Sequence, residues 1–353
     1  MTNSDHTQEA IALLSDLIAT PSISRQEKAA ADLLEARMKD WGLLVHREGN
    51  NLWTLSPDFD ERRPTLLLNA HIDTVKPVAS WTLDPFLPTC KDGRLYGLGA
   101  NDCGGGLVSL LAAFRIATAK EKASSPYNLV FLASAEEEVS GADGISRVLP
   151  LLPHVDVALV GEPTGMQPAV AEKGLMVLDL TMRGRSGHAA RSEGVNAINK
   201  MLDDLLWLRS YRFERVSPLL GPTLMQVTMI QAGSQHNVVP DECQAVVDIR
   251  TNELYTNEEV LQFLTEKLSC EVKARSTRLG SSSIPLDHPL VQRIVGMGKQ
   301  PFGSPTLSDQ ALMPFPSLKM GPGDSARSHS ADEFICFDEI ADAISTYVSL
   351  LTD

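Results

Sequence analysis

The chain is poor in aromatic residues, 5% of the total, and nowhere clusters lysine and arginine into a basic patch. Acidic residues outnumber basic ones 45 to 31, a formal net charge of −14, so the average surface repels a nucleic-acid backbone. Long apolar runs are also missing. The longest uncharged stretch, 216–240, is broken by Pro218 and Pro222 and carries Gly, Gln, Asn and His, which excludes a membrane-spanning helix there. The opening MTNSDHTQEA has neither a basic start nor an apolar stretch, so no secretory signal is expected and the cytoplasm is the expected compartment. Cysteine is scarce and scattered: Cys90, Cys103, Cys243, Cys270 and Cys336 form no Cys-x-x-Cys pair. A thiolate zinc site and a disulfide framework are thereby excluded, and free thiols are expected.

What is present suits a soluble enzyme-sized chain. The 353 residues, 43% hydrophobic and 22% charged, are enough for about two domains of roughly 150 residues each. In the first half, apolar runs alternate with helical patterns, which predicts a mostly parallel sheet covered by helices, an α/β fold. Ser24-Arg25-Gln26-Glu27 has capping-box spacing and predicts a helix reaching about Asp40 and ending near Gly42. Predicted strands at Thr65–Ala70, Asn128–Ala135 and Asp156–Gly161 are each followed at once by His, Asp or Glu. In an open α/β sheet the ligand crevice lies beyond the carboxyl ends of the strands, so these residues converge on one rim.

From Glu172 to Ser283 the pattern changes. A strand over 175–184, a helix over Glu193–Leu208, strands over Thr223–Ile230 and Asn237–Arg250, a helix over Glu258–Leu268 and a strand over Cys270–Ser276 make a βαββαβ unit. Helical patterns resume at His288–Lys299 and Asp338–Leu351. The expected organisation is a discontinuous domain, 1–171 and 284–353, interrupted by an inserted one, 172–283.

The strand ends carry the chemistry. In His71-Ile72-Asp73 the imidazole suits a metal, and the carboxylate suits the imidazole's second nitrogen; an ordinary polar strand end reads the same way. Asp102 lies in a glycine-rich loop entering an apolar helix, where an N-cap aspartate is the plainer alternative. Glu136-Glu137-Glu138 sets three carboxylates after an apolar strand, a costly arrangement unless a cation compensates. Gly161-Glu162-Pro163-Thr164 repeats the device, and the glycine-rich segment 321–329 ends on a second histidine, His329.

The succession His71-x-Asp73, Asp102, Glu136-Glu137-Glu138, Gly161-Glu162-Pro163-Thr164, Gly187-His188, Asn237-x-x-Pro240 and His329 spans nearly the whole chain. It resembles the zinc-dependent N-acyl amino acid deacylases and exopeptidases, a family that includes acetylornithine deacetylase, succinyl-diaminopimelate desuccinylase and the glutamate-releasing carboxypeptidases. The GEPT and GPGDSARSHSADEFI segments look most like acetylornithine deacetylases.

The resemblance implies a catalytic domain with a mixed, mostly parallel sheet and helices on both faces, plus a ferredoxin-like inserted domain for dimerisation and closure. It implies two Zn²⁺ per chain, replaceable by Co²⁺, one held by His71, Asp102 and Glu162 and the other by Asp102, Glu138 and His329. Glu137 would be the general base, and Asp73 would orient His71. His188 would reach across a homodimer interface to the oxyanion, and Asn237 would act in trans on the acyl group. Arg250 is the candidate for the substrate α-carboxylate, Lys173 or Arg191 for the distal end of the acyl chain, and Gly323 for a further substrate contact.

The implied reaction is deacetylation of N-acetyl-L-ornithine in arginine synthesis. Succinyl-ornithine, succinyl-diaminopimelate, acetyl-citrulline, acetyl-lysine, short peptides and a catalytically silent binding protein stay open as alternatives. No nucleic-acid or membrane partner is implied. The chain departs from the family in two places. Glu136 stands where Asp is usual, and Cys103-Gly104-Gly105-Gly106 replaces a stretch that often holds a basic residue. Relatives carry a cis peptide after the bridging Asp, which a glycine-rich continuation accommodates. Cys103, with no basic partner beside it in sequence, reads as a small packed residue rather than a nucleophile.

Overall fold

Two strands of the computed structural model, Thr65–His71 and Asn128–Ser134, are buried at every position. Strands without a polar face must be covered on both sides, as parallel strands are. The structure describes residues 3–119, 125–191 and 193–352. The chain divides into two units, one of 1–170, 284–302 and 308–353, the other of 171–283 and 303–307.

In the first unit Thr65–His71 lies between Asn128–Ser134 and Val157–Val160, parallel to both, and Ser317–Lys319 adds a further parallel strand. Asn51–Leu55 and His46–Glu48 extend one side antiparallel, and Ala169 continues the other side beside Lys319. The result is an α/β sheet of mixed, mostly parallel strands. Alternate residues of a strand point to opposite faces. Phe131 therefore meets Phe114 of the helix Gly105–Ala117 on one face, ring centroids 6.3 Å apart. Leu67, Val130 and Leu132 pack with Ile145 and Val148 of the short helix Ile145–Val148 on the other.

Parallel strands finish at a common rim, and here His71 is in register with Ser134. One close approach fixes the rim's depth. A Cβ on Gly106 would lie 1.7 Å from the carbonyl oxygen of Gly161, so the helix start and the end of Val157–Val160 touch backbone to backbone. Only a glycine permits that.

The second unit is a four-stranded antiparallel sheet in the order Leu224–Ala232, Glu242–Arg250, Met176–Arg183, Glu271–Ala274. With the helices Ala197–Ser210 and Asn257–Lys267 it has βαββαβ connectivity. Leu178, Leu180, Val247, Ile249, Met201 and Leu264 form its core.

Several element ends differ from those predicted. The helix expected from Glu193 begins at Ala197, because the Asn196 side chain accepts the Ile198 and Asn199 amides and so caps it there. The strand expected from Asn237 begins at Glu242, after Pro240. No capping box forms at Ser24. Its hydroxyl donates to the Asp73 carboxylate at 2.7 Å, a stronger acceptor, and Glu27 accepts the Arg25 amide at 2.6 Å instead. The helix runs Lys28–Asp40. No described helix is long and apolar enough to cross a membrane, and all five cysteines are free.

Candidate metal centre

At the rim of the first unit, His71 ends its strand with its side chain 1% exposed. Its Nδ1 lies 2.9 Å from the Asp73 carbonyl, which can only accept, so Nδ1 carries the proton. Nε2 is left to face Asp102 Oδ1 at 3.3 Å and Glu162 Oε1 at 3.5 Å. The Asp73 carboxylate, expected to orient the imidazole, stands 3.6 Å from Nδ1. It also accepts the Ser24 hydroxyl at 2.7 Å, the Glu137 amide at 3.0 Å and the Glu138 amide at 3.2 Å. Asp73 therefore fixes the glutamate turn, and its carbonyl fixes the imidazole.

Asp102 sits in the kinked turn Ala100–Gly104, and the Asp102–Cys103 peptide is cis, as the resemblance implies. Its Oδ1 faces His71, and its Oδ2 lies 3.5 Å from His329 Nε2. His329 Nε2 is also 3.0 Å from Glu138 Oε2. One carboxylate thus stands between two histidines, with a further glutamate beside each. Ligand atoms of His71, Asp102 and Glu138, and those of His71, Cys103 and Glu162, lie within 4.8 Å of one another.

The rim is electrostatically crowded. Burial, with Asp102 adding to it, pushes Glu162 up to about 8. Burial likewise raises Glu137 well above the usual carboxylate range, helped by Glu162, Asp309 and Glu138. Asp102 is held low against its burial, chiefly by His71. The hydrogen bond to Glu138 lifts His329 to about 9. Glu162 Oε1 is buried with no hydrogen-bond partner. An orphaned buried carboxylate oxygen is costly, and a cation satisfies it. Imidazole and carboxylate donors in this number fit divalent ions such as Zn²⁺.

Cys103 is bound differently from a nucleophile. Its Sγ accepts the His71 amide at 3.2 Å, and burial pushes its thiol far above the ordinary range.

Sequence reasoning missed several buried polar residues here. Glu27 is 0% exposed and accepts the Glu136 amide at 3.3 Å. Asp309 accepts the Ser134 hydroxyl at 2.6 Å, and burial lifts it to about 6. Glu333 accepts the amides of Gly99, Asn101 and Asp102. Glu27 lies in the capping-box spacing and Glu333 in the 321–335 segment, but neither pattern shows that the carboxylate turns inward; Asp309 has no pattern around it, and burial identifies all three. The longer side chain of Glu136 folds against Gly141, where a Cβ would lie 1.7 Å from Glu136 Oε2.

Gly323 belongs to the first unit, at φ +88, with its Cβ position 2.2 Å from Asn101 Oδ1 and its carbonyl accepting the Gly165 amide at 2.7 Å. Its bare backbone permits this close packing. His188, Asn237, Lys173 and Arg250 belong to the second unit. His188 and Asn237 are exposed neighbours there: the Ala189 amide donates to the Asn237 carbonyl at 3.0 Å, and His188 bridges Val238. Lys173 Nζ donates to the Pro222 carbonyl at 2.9 Å, and burial lowers its pKa. Arg250 holds Asp248 through Nε at 2.8 Å and Nη2 at 3.1 Å.

Residues 67–353 match the sequence profile of peptidase family M20/M25/M40. The chain is 32% identical to the acetylornithine deacetylase of Pectobacterium carotovorum subsp. carotovorum, with 92% of each chain covered. Its fold is similar to aminopeptidase PepT from Bacillus cereus, TM-score 0.77 at 18% identity, with 98% of both chains covered. It is similar also to the Bacillus subtilis YXEP protein, a dinuclear metal-binding peptidase, TM-score 0.72 at 15% identity over 99% of this chain and 98% of that one.

Proposed function

Because the chain belongs to peptidase family M20/M25/M40 and is a metal-dependent hydrolase of amides, we propose that it removes the acyl group from a small N-acyl amino acid. N-acetyl-L-ornithine, cleaved to acetate and L-ornithine for arginine synthesis, is the substrate the curated relatives support. The observation that carries the reading is Asp102, whose two oxygens face two different histidines at 3.3 and 3.5 Å.

His71, Asp102 and Glu162 would hold one Zn²⁺, and Asp102, Glu138 and His329 the other, with Co²⁺ able to substitute. Bound there, the ions would polarise the amide carbonyl and make a water acidic enough to attack near neutral pH. Glu137 would serve as the general base, its carboxylate taking a proton from the attacking water and passing it to the leaving nitrogen. The hydrogen bond from its amide to Asp73, 3.0 Å long, holds its backbone for this. Lys173 is already bound to Pro222, which favours an uncharged acyl group over a succinyl one. Arg250 offers a substrate carboxylate the amino group, Nη1, that its pair with Asp248 does not use. The free thiols suit a reducing, cytoplasmic setting.

The working form is a homodimer in this reading. Leu224–Ala232 is an edge strand with Met229 65% and Ile230 55% exposed, and Leu202 and Leu206 of the helix Ala197–Ser210 are exposed in the same unit. An apolar edge of this kind invites pairing with a second copy. His188, exposed in that unit, would then serve the partner's oxyanion.

The test of function is a panel of N-acetyl- and N-succinyl-ornithine, read as liberated amine from protein stripped of metal and then reloaded with Zn²⁺ or Co²⁺. Metal-dependent cleavage of the acetyl compound is expected. No amine from any N-acyl amino acid would overturn the reading. For the dimer, His188→Ala should lower kcat on the order of 10²- to 10³-fold. Mixing it with Glu137→Ala under subunit exchange should restore part of the activity. An unrestored mixture with proven exchange would return His188 to its own subunit.

A further inference from the structure

The turn that carries Asp102 and the segment that carries His329 are tied by two buried side chains pointing in opposite directions. From the C-terminal segment, Glu333, 2% exposed, reaches back and accepts the amides of Gly99 at 3.3 Å, Asn101 at 2.8 Å and Asp102 at 2.9 Å. From the turn, Asn101, 0% exposed, reaches forward. Its Nδ2 donates to the Asp324 carbonyl at 3.0 Å and the Ser328 hydroxyl at 3.3 Å, and its Oδ1 accepts the Asp324 amide at 3.0 Å. Gly323 is bare where Asn101 Oδ1 approaches, since a Cβ there would stand 2.2 Å away.

These contacts surround His329. The segment has no strand at His329 itself, whose φ is +57 and whose side chain is 54% exposed. Backbone pairing of the two segments, Phe334 with Tyr96 and the Gly97 amide with the Glu333 carbonyl at 3.0 Å, stops short of both Asp102 and His329. What spans the gap is Asn101, directly before Asp102, holding Asp324 and Ser328, and Glu333, four positions beyond His329, holding the Asp102 amide. Both are single buried polar groups with their partners satisfied, the condition under which such groups impose one geometry.

We infer that Asn101 and Glu333 form a reciprocal clasp that sets the spacing between Asp102 and His329, making them positioning residues for the ion shared by Asp102, Glu138 and His329. The ion held by His71, Asp102 and Glu162 shares Asp102 but not His329, and His71 is placed by a core strand, so it depends on the clasp less. The inference rests on the two-ion reading above.

Zn²⁺ titration of the chelator-stripped full chain by calorimetry tests it. Wild type is expected to take up two ions. Asn101→Ala should weaken one binding step by about 10- to 100-fold, the range typical of lost support behind a ligand, and weaken the other, which shares only Asp102, distinctly less. Gly323→Ala, which opens the clasp from the other side without removing a polar group, should weaken the same step. Excess Zn²⁺ should restore kcat in both, which a misfolded chain would not allow. Asn101→Asp keeps the acceptor but turns a buried carboxylate oxygen toward the Asp324 carbonyl, so it should weaken the same step at least as much as alanine.

Wild type binding fewer than two ions would remove the two-ion reading and the clasp with it. Two ions in wild type with both steps unchanged in Asn101→Ala and Gly323→Ala would overturn the clasp alone. Equal weakening of both steps, with a lower melting temperature of the ion-free chain, would reduce it to general support and also overturn it.

Discussion

His71 and His329 face the same aspartate from unlike surroundings. One ends a strand buried at every position and has its side chain 1% exposed; the other stands on an irregular segment with its side chain 54% exposed. On the His71 side, geometry comes from the sheet register and from the backbone contact of Gly106 with Gly161. On the His329 side it comes from side chains, Asn101, Glu333 and the ion pair of Arg327 with Glu339 at 2.8 Å. A rim of this kind has a rigid half, set by the sheet, and an assembled half, built from contacts between distant parts of the chain.

The largest expected effect separates chemistry from either half. Glu137→Ala should lower kcat by on the order of 10²- to 10⁴-fold, the usual share of a general base, while metal analysis still finds two ions. Glu138→Ala, its neighbour, should lose the ion on the His329 side and keep the other. Equal metal loss in both variants would erase the assignment of Glu137 as base.

A smaller effect strikes the rigid half. Gly106→Ala sets a Cβ 1.7 Å from the Gly161 oxygen, and the backbones must part. Overpacking of this kind typically destabilises by about 1–3 kcal/mol, so the melting temperature should fall. A stability equal to wild type would mean that the rim yields more easily than the contact implies.

The smallest effect is confined to the assembled half. Arg327 and the Cys336 amide hold the Glu339 carboxyl below its usual range although burial opposes them. A carboxyl whose pKa is lower in the folded chain stabilises it above the unfolded value, near 4.3, and that contribution is lost as pH falls through the folded one. Glu339→Gln should cost about 1 kcal/mol or less at neutral pH, and its difference from wild type should vanish in acid. A difference that grows in acid would contradict the sign.

The rigid half was legible in the sequence because its candidate ligands follow strands whose apolar pattern marks where they end. Glu137, Glu138 and Glu162 come at the rim for the same reason. The assembled half was legible only through resemblance. Asn101 and Glu333 look like ordinary loop residues, and their contacts join positions 223 to 234 residues apart, which no local pattern encodes. Ser24 taught the converse. Its local capping signal was correct in spacing, yet the buried carboxylate of Asp73, 49 residues away, took its hydroxyl.

The crowding of Asp102, Glu137, Glu138 and Glu162 also bears on how long the protein lasts. Carboxylates pressed together in a buried rim raise the free energy of the ion-free chain, and an ion that binds only the folded form stabilises it in proportion to the logarithm of its free concentration. Metal supply then governs survival as well as turnover. Limited proteolysis with and without chelator checks this: the ion-free chain should be cut faster, with the earliest cut expected near the half-exposed His329.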